Sequence, residues 1–348
     1  MRRKISVCIP AYNRSALLPD LLNSIVEQQF DDYEILICED DSPERLQIRE
    51  VVRQYSVKYP QLIRLIENEK NLGYDGNMRN LVANAQGEYC LFMGNDDLMC
   101  EGSLKTVAQT IDRYPNVGVI VRSYASFDKT PDKVNQIFRY FAEERVFPAG
   151  ADSISTVFRR CVVISGVVIH RDAAQQLATA RFDGTLLYQV YLAARVLVER
   201  DAVFLPDILV FYRNGGVPEF GNAEAERGKF VPANRTPESS LQFMRGVLEI
   251  AAAIESDCGV QIYKKILADY ANYSYPFLSI QANQPKLVFI KYWLGLIKLG
   301  FGVSILFHLY FISLLLLGSR RMDALITWIK NTLGYTPQLG SVFLGKTK

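Results

Sequence analysis

The segment Tyr89-Cys90-Leu91-Phe92-Met93-Gly94-Asn95-Asp96-Asp97 runs from apolar residues into two adjacent carboxylates. Its first five residues read as a buried strand, and the acidic pair stands just past the strand's end. Two anions there are costly unless a cation neutralises them. A hard divalent cation takes oxygen ligands and keeps positions open for phosphate oxygens. The pair therefore reads either as a metal–diphosphate site or as a solvated acidic turn, and the surrounding pattern must choose.

Working toward the N-terminus, the same grammar repeats. Ile5 to Ile9 reads as a buried strand stopped by Pro10, and Glu34 to Cys38 as a second that opens into Glu39-Asp40-Asp41-Ser42. Ile63 to Ile66 is a third. Between them, Ala16–Gln29, Arg45–Tyr59 and Gly76–Ala85 carry helical spacing. Strands alternating with helices predict parallel β-α-β units with helices on both faces, an α/β fold. Ligands in such sheets bind beyond the carboxyl ends of the strands. The polar clusters Tyr12-Asn13-Arg14, Glu39-Asp40-Asp41 and Asn95-Asp96-Asp97 all fall at those ends. They should converge on one edge, which favours a site over a solvated turn.

Further along, Gly102–Tyr114 and Leu186–Val198 read as helices, and Val117–Arg122 and Val162–His170 as strands. A polar loop runs from Arg213 to about Thr236, long enough to suggest a functional segment. Pro237–Tyr275 reads as helices. Phe301 to Gly318 is almost wholly apolar, with Lys291 and Lys298 before it and Arg320 and Arg321 after it. The basic tail opposes a single crossing from a cytosolic domain. The preferred reading is helices lying in a membrane surface, with Tyr292, Trp293 and Trp328 at headgroup level. A true span and a buried core or dimer helix are the alternatives.

The chain has 348 residues, 49% hydrophobic and 22% charged, enough apolar material for a sizeable core. Its formal charge of +2 gives no nucleic-acid signature. Six cysteines without paired spacing argue against zinc and for a reducing compartment. Met1-Arg2-Arg3-Lys4 leads straight into a strand, so no secretory signal is expected. A P-loop match at Gly340–Thr347 is read as chance, because the motif needs a preceding strand and a following helix. His170 reads as a structural residue rather than a metal ligand, and His308 as a packing residue.

Five motifs in order resemble family 2 glycosyltransferases of the GT-A fold. They are Pro10-Ala11-Tyr12-Asn13-Arg14, Glu39-Asp40-Asp41-Ser42, Asn71-Leu72-Gly73, Ala85-Gln86-Gly87-Glu88-Tyr89 and Asn95-Asp96-Asp97. The resemblance is close over about the first 125 residues and weaker at Gly166–Arg171 and Val210–Arg213. Gly73–Asn77, with Gly184-Thr185 and Gln189, is similar to bacterial surface-polysaccharide enzymes, including O-antigen abequosyl-type transferases.

The resemblance implies a Rossmann-like, mostly parallel sheet. A sugar-nucleotide half would cover 1–100, an acceptor half 101–235, and a C-terminal helical, membrane-associating region 236–348. The implied reaction moves a sugar from a nucleoside-diphosphate sugar to a saccharide, carried on a polyprenyl diphosphate, at the cytoplasmic face of a bacterial inner membrane. The implied cofactor is Mn²⁺ or Mg²⁺, held by the motif Asp96-Asp97, with Asp97 the direct ligand and Asp96 facing sugar or ribose. Pro10, Ala11, Tyr12 and Arg14 would shape the loop around base and ribose. Asn71 would line the nucleotide, Arg79 reach phosphate, and Asp40 accept from the base, a carboxylate suiting the N3–H of uracil or thymine.

One departure matters. Inverting members carry an acidic pair at the start of the helix after the acceptor segment, where this chain has Tyr188-Gln189. Asp183 is the substitute candidate for the base, with Glu199 and Asp207 behind it. A domain that binds a nucleotide sugar without turnover is the alternative function.

Overall fold

The computed structural model describes residues 3–333. It divides into two compact units, Met1–Arg227 and Gly228–Lys348. The half expected at 1–100 and that expected at 101–235, up to Arg227, lie in the first unit, residues 228–235 lie in the second, and the P-loop match at 340–347 lies outside the described residues.

The first unit opens with β1 (Ile5–Ala11), α1 (Leu18–Val26), β2 (Tyr33–Glu39), α2 (Arg45–Lys58), β3 (Ile63–Glu67), α3 (Gly73–Asn84) and β4 (Tyr89–Phe92). These strands lie in the order β3-β2-β1-β4, every neighbour parallel. β2 and β4 are buried along their whole length because helices cover both faces. α1 shows why the periodicity was readable: Leu18, Leu21, Leu22 and Ile25 all face the core.

The sheet then changes character. β5 (Leu98–Met99), α4 (Ser103–Arg113), β6 (Val117–Phe127), β7 (Val134–Phe138), β8 (Arg145–Phe147), α5 (Ala151–Val157), β9 (Val168–His170), α6 (Arg171–Gln176), α7 (Tyr188–Val196) and β10 (Asp201–Arg213) complete the unit. The full order is β3-β2-β1-β4-β9-β6-β10-β5. β9 runs antiparallel to both β4 and β6, while β6 and β10 are parallel. Parallel pairing therefore governs the first half, and the second half is mixed.

Two local readings are corrected. Val162–His170 is not one strand: only its last three residues pair, because Gly166 takes φ +81° and turns the chain at Ser165-Gly166. β10 is a long strand absent from the sequence reading, which took Asp207 from it as a candidate base. Pro206 interrupts its ladder, and the register with β6 slips between Leu205 and Ile208.

The second unit holds α8 (Pro237–Cys258), α9 (Tyr263–Asn272), α10 (Tyr275–Gln281), α11 (Lys286–Lys298) and α12 (Ile305–Leu333). α8 starts where Thr236 accepts from Ser239 N at 3.1 Å and stops at Gly259, φ +66°. Trp293 of α11 stacks on Phe311 of α12, and Phe289 packs at a tilt against the same ring. His308 meets the Gly302 carbonyl at 3.0 Å and the edge of Trp293, a packing role. α12 is broken at Gly318, whose φ 76° and ψ 166° are not helical.

Candidate active site

The three polar clusters follow three neighbouring parallel strands, β1, β2 and β4, and meet at their carboxyl ends. The backbone is strained there. Asn13 (φ 54°), Arg14 (φ 62°) and Asp41 (φ 52°) hold left-handed conformations that non-glycine residues rarely adopt. Such outliers persist only where surrounding contacts enforce them. Asn95 Nδ2 donates to Asn13 O at 3.0 Å, and Asp40 N to Ala11 O at 3.0 Å, so the turn after β1 is tied to both neighbours.

Asp97 is 3% exposed. Its Oδ1 accepts from Arg213 N at 2.8 Å, and its Oδ2 from Ser165 Oγ. Burial, reinforced by the Asp96 charge, pushes its carboxyl well above the usual range. Asp96 Oδ2 takes a 2.7 Å bond from Arg14, and its carbonyl accepts from Arg213 Nε at 2.8 Å. Arg14 also donates to Val217 O at 2.9 Å, which ties the loop after β10 to the acidic pair.

Gly94 leaves a cradle beside this pair. A Cβ on it would stand 3.0 Å from Asp97 Oδ2, 3.3 Å from Ser165 Oγ and 3.4 Å from Asp96 Oδ1. The cradle is lined with hard oxygen donors, as Mg²⁺ or Mn²⁺ requires. Among the described residues no group of three His, Cys, Asp or Glu can hold a metal alone. The donor set thus fits a cation that draws its remaining ligands from a diphosphate and water.

On the β2 side, Asp40 Oδ1 accepts from Asn68 Nδ2 at 2.7 Å and Leu72 N at 2.8 Å. Burial raises its carboxyl to about 6. Asn68 and Leu72, with Glu69 and Lys70, line an open cavity of about 500 Å³. Asn71 turns its Oδ1 to Gly73 N at 2.9 Å, and the Tyr12 hydroxyl lies by the Asn71 and Asn222 amides. Pro10 and Ala11 end β1 beneath this turn.

Two expected residues sit elsewhere. Arg79 pairs with Asp183, Nη1 to Oδ1 at 2.5 Å and Nη2 to Oδ2 at 2.9 Å. Each occupies the other: Arg79 is not turned to the acidic pair, and both Asp183 oxygens are engaged. His170 accepts from Ala173 N at 3.3 Å and caps α6, the structural role expected of it.

Several site-building residues escaped the sequence reading. Asp75, 1% exposed, accepts five backbone N–H bonds, from Gly184, Thr185 and Leu186 on Oδ2 and from Leu187 and Tyr188 on Oδ1, all at 2.9–3.0 Å. It fixes the loop that enters α7. Burial still raises its carboxyl to about 6, against the pull of those bonds. Tyr74 Oη donates to Gln189 Oε1 at 3.0 Å, and Glu226 accepts from Tyr74 N and Gly221 N. The sequence signals were a Gly-rich neighbourhood for Asp75 and the Ser165-Gly166 turn; their partners are remote.

Residues 6–173 match the profile of glycosyl transferase family 2. Residues 6–173 are a family 2 glycosyltransferase domain. The chain is 31% identical over 153 residues to an uncharacterized glycosyltransferase of Haemophilus influenzae, covering 44% of this chain and 46% of that protein. It is 33% identical over 124 residues to abequosyltransferase RfbV of Salmonella typhimurium, covering 36% and 37%. A third relative is the GalNAc(5)-diNAcBac-PP-undecaprenol beta-1,3-glucosyltransferase of Campylobacter jejuni, 31% identical over 106 residues, covering 30% and 34%. The chain thus spans less than half the length of these relatives. Its backbone resembles Staphylococcus aureus TarS 1–349 with a TM-score of 0.55 at 17% identity, covering 92% of this chain and 83% of that one. A mannosyltransferase of Pyrobaculum calidifontis, solved with GDP-Man and Mn²⁺, gives 0.53 at 15% identity, covering 91% and 87%. The family 2 domain therefore has the GT-A fold, a mixed α/β sheet flanked by helices.

Proposed function

We propose that this chain transfers a sugar from a nucleoside-diphosphate sugar to a saccharide acceptor on a polyprenyl diphosphate, in bacterial surface-polysaccharide synthesis. The observation that carries the reading is the convergence of Tyr12-Asn13-Arg14, Asp40 and Asp96-Asp97 on adjacent parallel strand ends. The name of the Salmonella relative supports the sugar-transfer part, and that of the Campylobacter relative the lipid-linked saccharide acceptor.

In this reading Asp97 and Asp96 hold a divalent cation in the cradle beside Gly94. When bound, the cation offsets charge building on the departing diphosphate. The chain does the rest. Arg14 steers the Asp96 carboxylate through their 2.7 Å bond, and Ser165 and Arg213 lock that of Asp97. Tyr12, Pro10, Ala11 and Asn71 enclose base and ribose.

Asp40 accepts from the base, which gives a pH signature. With its carboxyl near 6, protonation removes an acceptor as pH falls, so UDP affinity drops between pH 7 and 5. Stability has the opposite sign: the raised value favours the protonated folded state, a contribution lost as pH rises through 6. Calorimetry of UDP binding across that range should show the drop, and Asp40→Asn should flatten it. A flat wild-type profile removes Asp40 from the base contact.

Asp183 remains the proposed base, released when Arg79 turns from it to a donor phosphate. The bidentate Arg79–Asp183 pair equally favours the second reading, binding without turnover. Metal-dependent release of nucleoside diphosphate with a lipid-linked acceptor separates the two. Under the first reading, Asp183→Asn should lower kcat about a hundredfold or more while leaving sugar-nucleotide binding intact. Near-full activity in that variant would leave Asp183 only as the partner of Arg79.

The second unit supplies the membrane contact. Its Ile305–Ile326 stretch is long and apolar enough to cross a bilayer by length and composition, and only 28% of its most apolar 18 residues is buried. Ile305, Leu309, Ile312 and Leu316 form one exposed strip, with Phe307, Phe311 and Leu314 buried opposite. Between 286 and 322 the chain has five Lys or Arg (286, 291, 298, 320 and 321) and no Asp or Glu. That combination suits a surface helix on anionic lipid. The protein should co-sediment with vesicles containing phosphatidylglycerol; a wholly soluble protein that ignores them contradicts the assignment.

A further inference from the structure

Arg122 of β6 is 0% exposed, yet its Nε and Nη1 have no hydrogen-bond partner. Its Nη2 donates to Val163 O at 3.0 Å. Among the described residues no carboxylate stands at ion-pair distance. Asp97, the nearest acidic influence, already accepts from Ser165 and Arg213. A buried guanidinium without a counter-charge costs several kcal/mol, so chains rarely keep one idle.

The surroundings are built for a cation and its anion. The Arg122 Cζ lies 4.9 Å from the Tyr124 ring, and Tyr124 lies 6.5 Å from Tyr140 between centroids. The Arg160 Cζ stands 5.2 Å from both the Tyr140 and Phe141 rings, and that of Arg145 stands 4.6 Å from Phe141. Three guanidiniums therefore flank one aromatic wall. Gly166 packs against Arg122: a Cβ there would fall 2.8 Å from Nε. The neighbouring Ser165 bonds Asp97, so Arg122 adjoins the candidate reaction centre, on the side away from β1 and β2 where the nucleotide would lie.

We propose that Arg122 and Arg160 form a binding site for an oxyanion carried by the acceptor. The site rests on the glycosyl-transfer reading and deepens it. Guanidinium N–H groups match phosphate and carboxylate oxygens, and the aromatic wall offers ring faces to the adjoining sugar. The oxyanion reaches Arg122 when the half-buried Tyr140 ring turns aside. Phosphate of a lipid-linked acceptor and carboxylate of an acidic sugar present the same chemistry, and the test separates them.

The test follows the arginine Nε–H resonances of ¹⁵N-labelled full-length protein saturated with UDP and Mg²⁺. Inorganic phosphate, glucuronate and glucose are titrated separately. The Arg122 signal, identified by its loss in Arg122→Lys, should shift with phosphate or glucuronate and ignore glucose. A phosphate response assigns the lipid phosphate, and a glucuronate response the acidic sugar. Arg160→Gln should weaken the apparent affinity about tenfold. An Arg122 signal unmoved by either anion overturns the proposal, as does an unchanged response in Arg160→Gln. If Arg122→Lys does not fold, the Arg122 signal is assigned by through-bond correlation to its own backbone in the wild-type protein, and the Arg160→Gln comparison decides. UDP affinity, measured by calorimetry on the same protein preparations before UDP is added, reports on the sugar-nucleotide site separately.

Discussion

Asp97→Ala is expected to lower sugar transfer about a thousandfold. A cation clamped on the leaving diphosphate supplies several kcal/mol of transition-state stabilisation, and each 1.36 kcal/mol is tenfold in rate. Asp97 is the better-held member of the acidic pair, locked by Ser165 and the Arg213 amide. Asp96 shares its charge with Arg14, so Asp96→Ala should cost less. Because Asp97 is buried, the variant needs a folding control. Asp97→Asn keeps the shape and an oxygen for the Arg213 N–H while removing the charge. The informative measurement is kcat across a Mn²⁺ titration, with UDP binding in EDTA as the reference. Full activity in either folded variant would remove the acidic pair from the chemistry.

Asp75→Ala is expected to be the most destabilising single change in the first unit. It leaves five backbone N–H groups without their acceptor at a fully enclosed site. Each unmet group costs on the order of 1–3 kcal/mol, less whatever water recovers. A net loss of about 4 kcal/mol would lower Tm by about 8–16 °C. Asparagine is no rescue, because its amide turns N–H groups toward N–H groups. Differential scanning calorimetry measures the effect, and a drop under about 3 °C would mean that packing alone holds residues 184–188. Activity should fall with it, since Asp183 and Gln189 flank that loop.

What the sequence made legible was local. β1 to β4 declared themselves because short apolar runs ended in polar clusters, and parallel pairing then placed Asp40, Asn13 and Asp96 along one edge. β10 was hidden by Pro206-Asp207, which break an otherwise apolar run, although sheet neighbours on both sides carry it through the bulge. The contacts that complete the site were illegible for a different reason. Ser165 reaches Asp97, Arg79 reaches Asp183, and Asp75 reaches Gly184 only after the chain has folded back over some 70 to 110 residues. Nothing in the spacing of Arg79 or Asp183 foretold that each would occupy the other.

Under the proposed membrane contact, the break at Gly318 bears on how much lipid the second unit would displace. The uninterrupted helix before it, residues 305–317, is about 20 Å long at 1.5 Å per residue. A hydrocarbon core is about 30 Å thick. Laid flat, such a rod wedges one leaflet and leaves the other untouched, which opens gaps between headgroups on its own side only. Membranes already curved or loosely packed offer those gaps at lower cost, so binding should strengthen as vesicle diameter falls. Curvature would then help to choose where the proposed membrane contact forms.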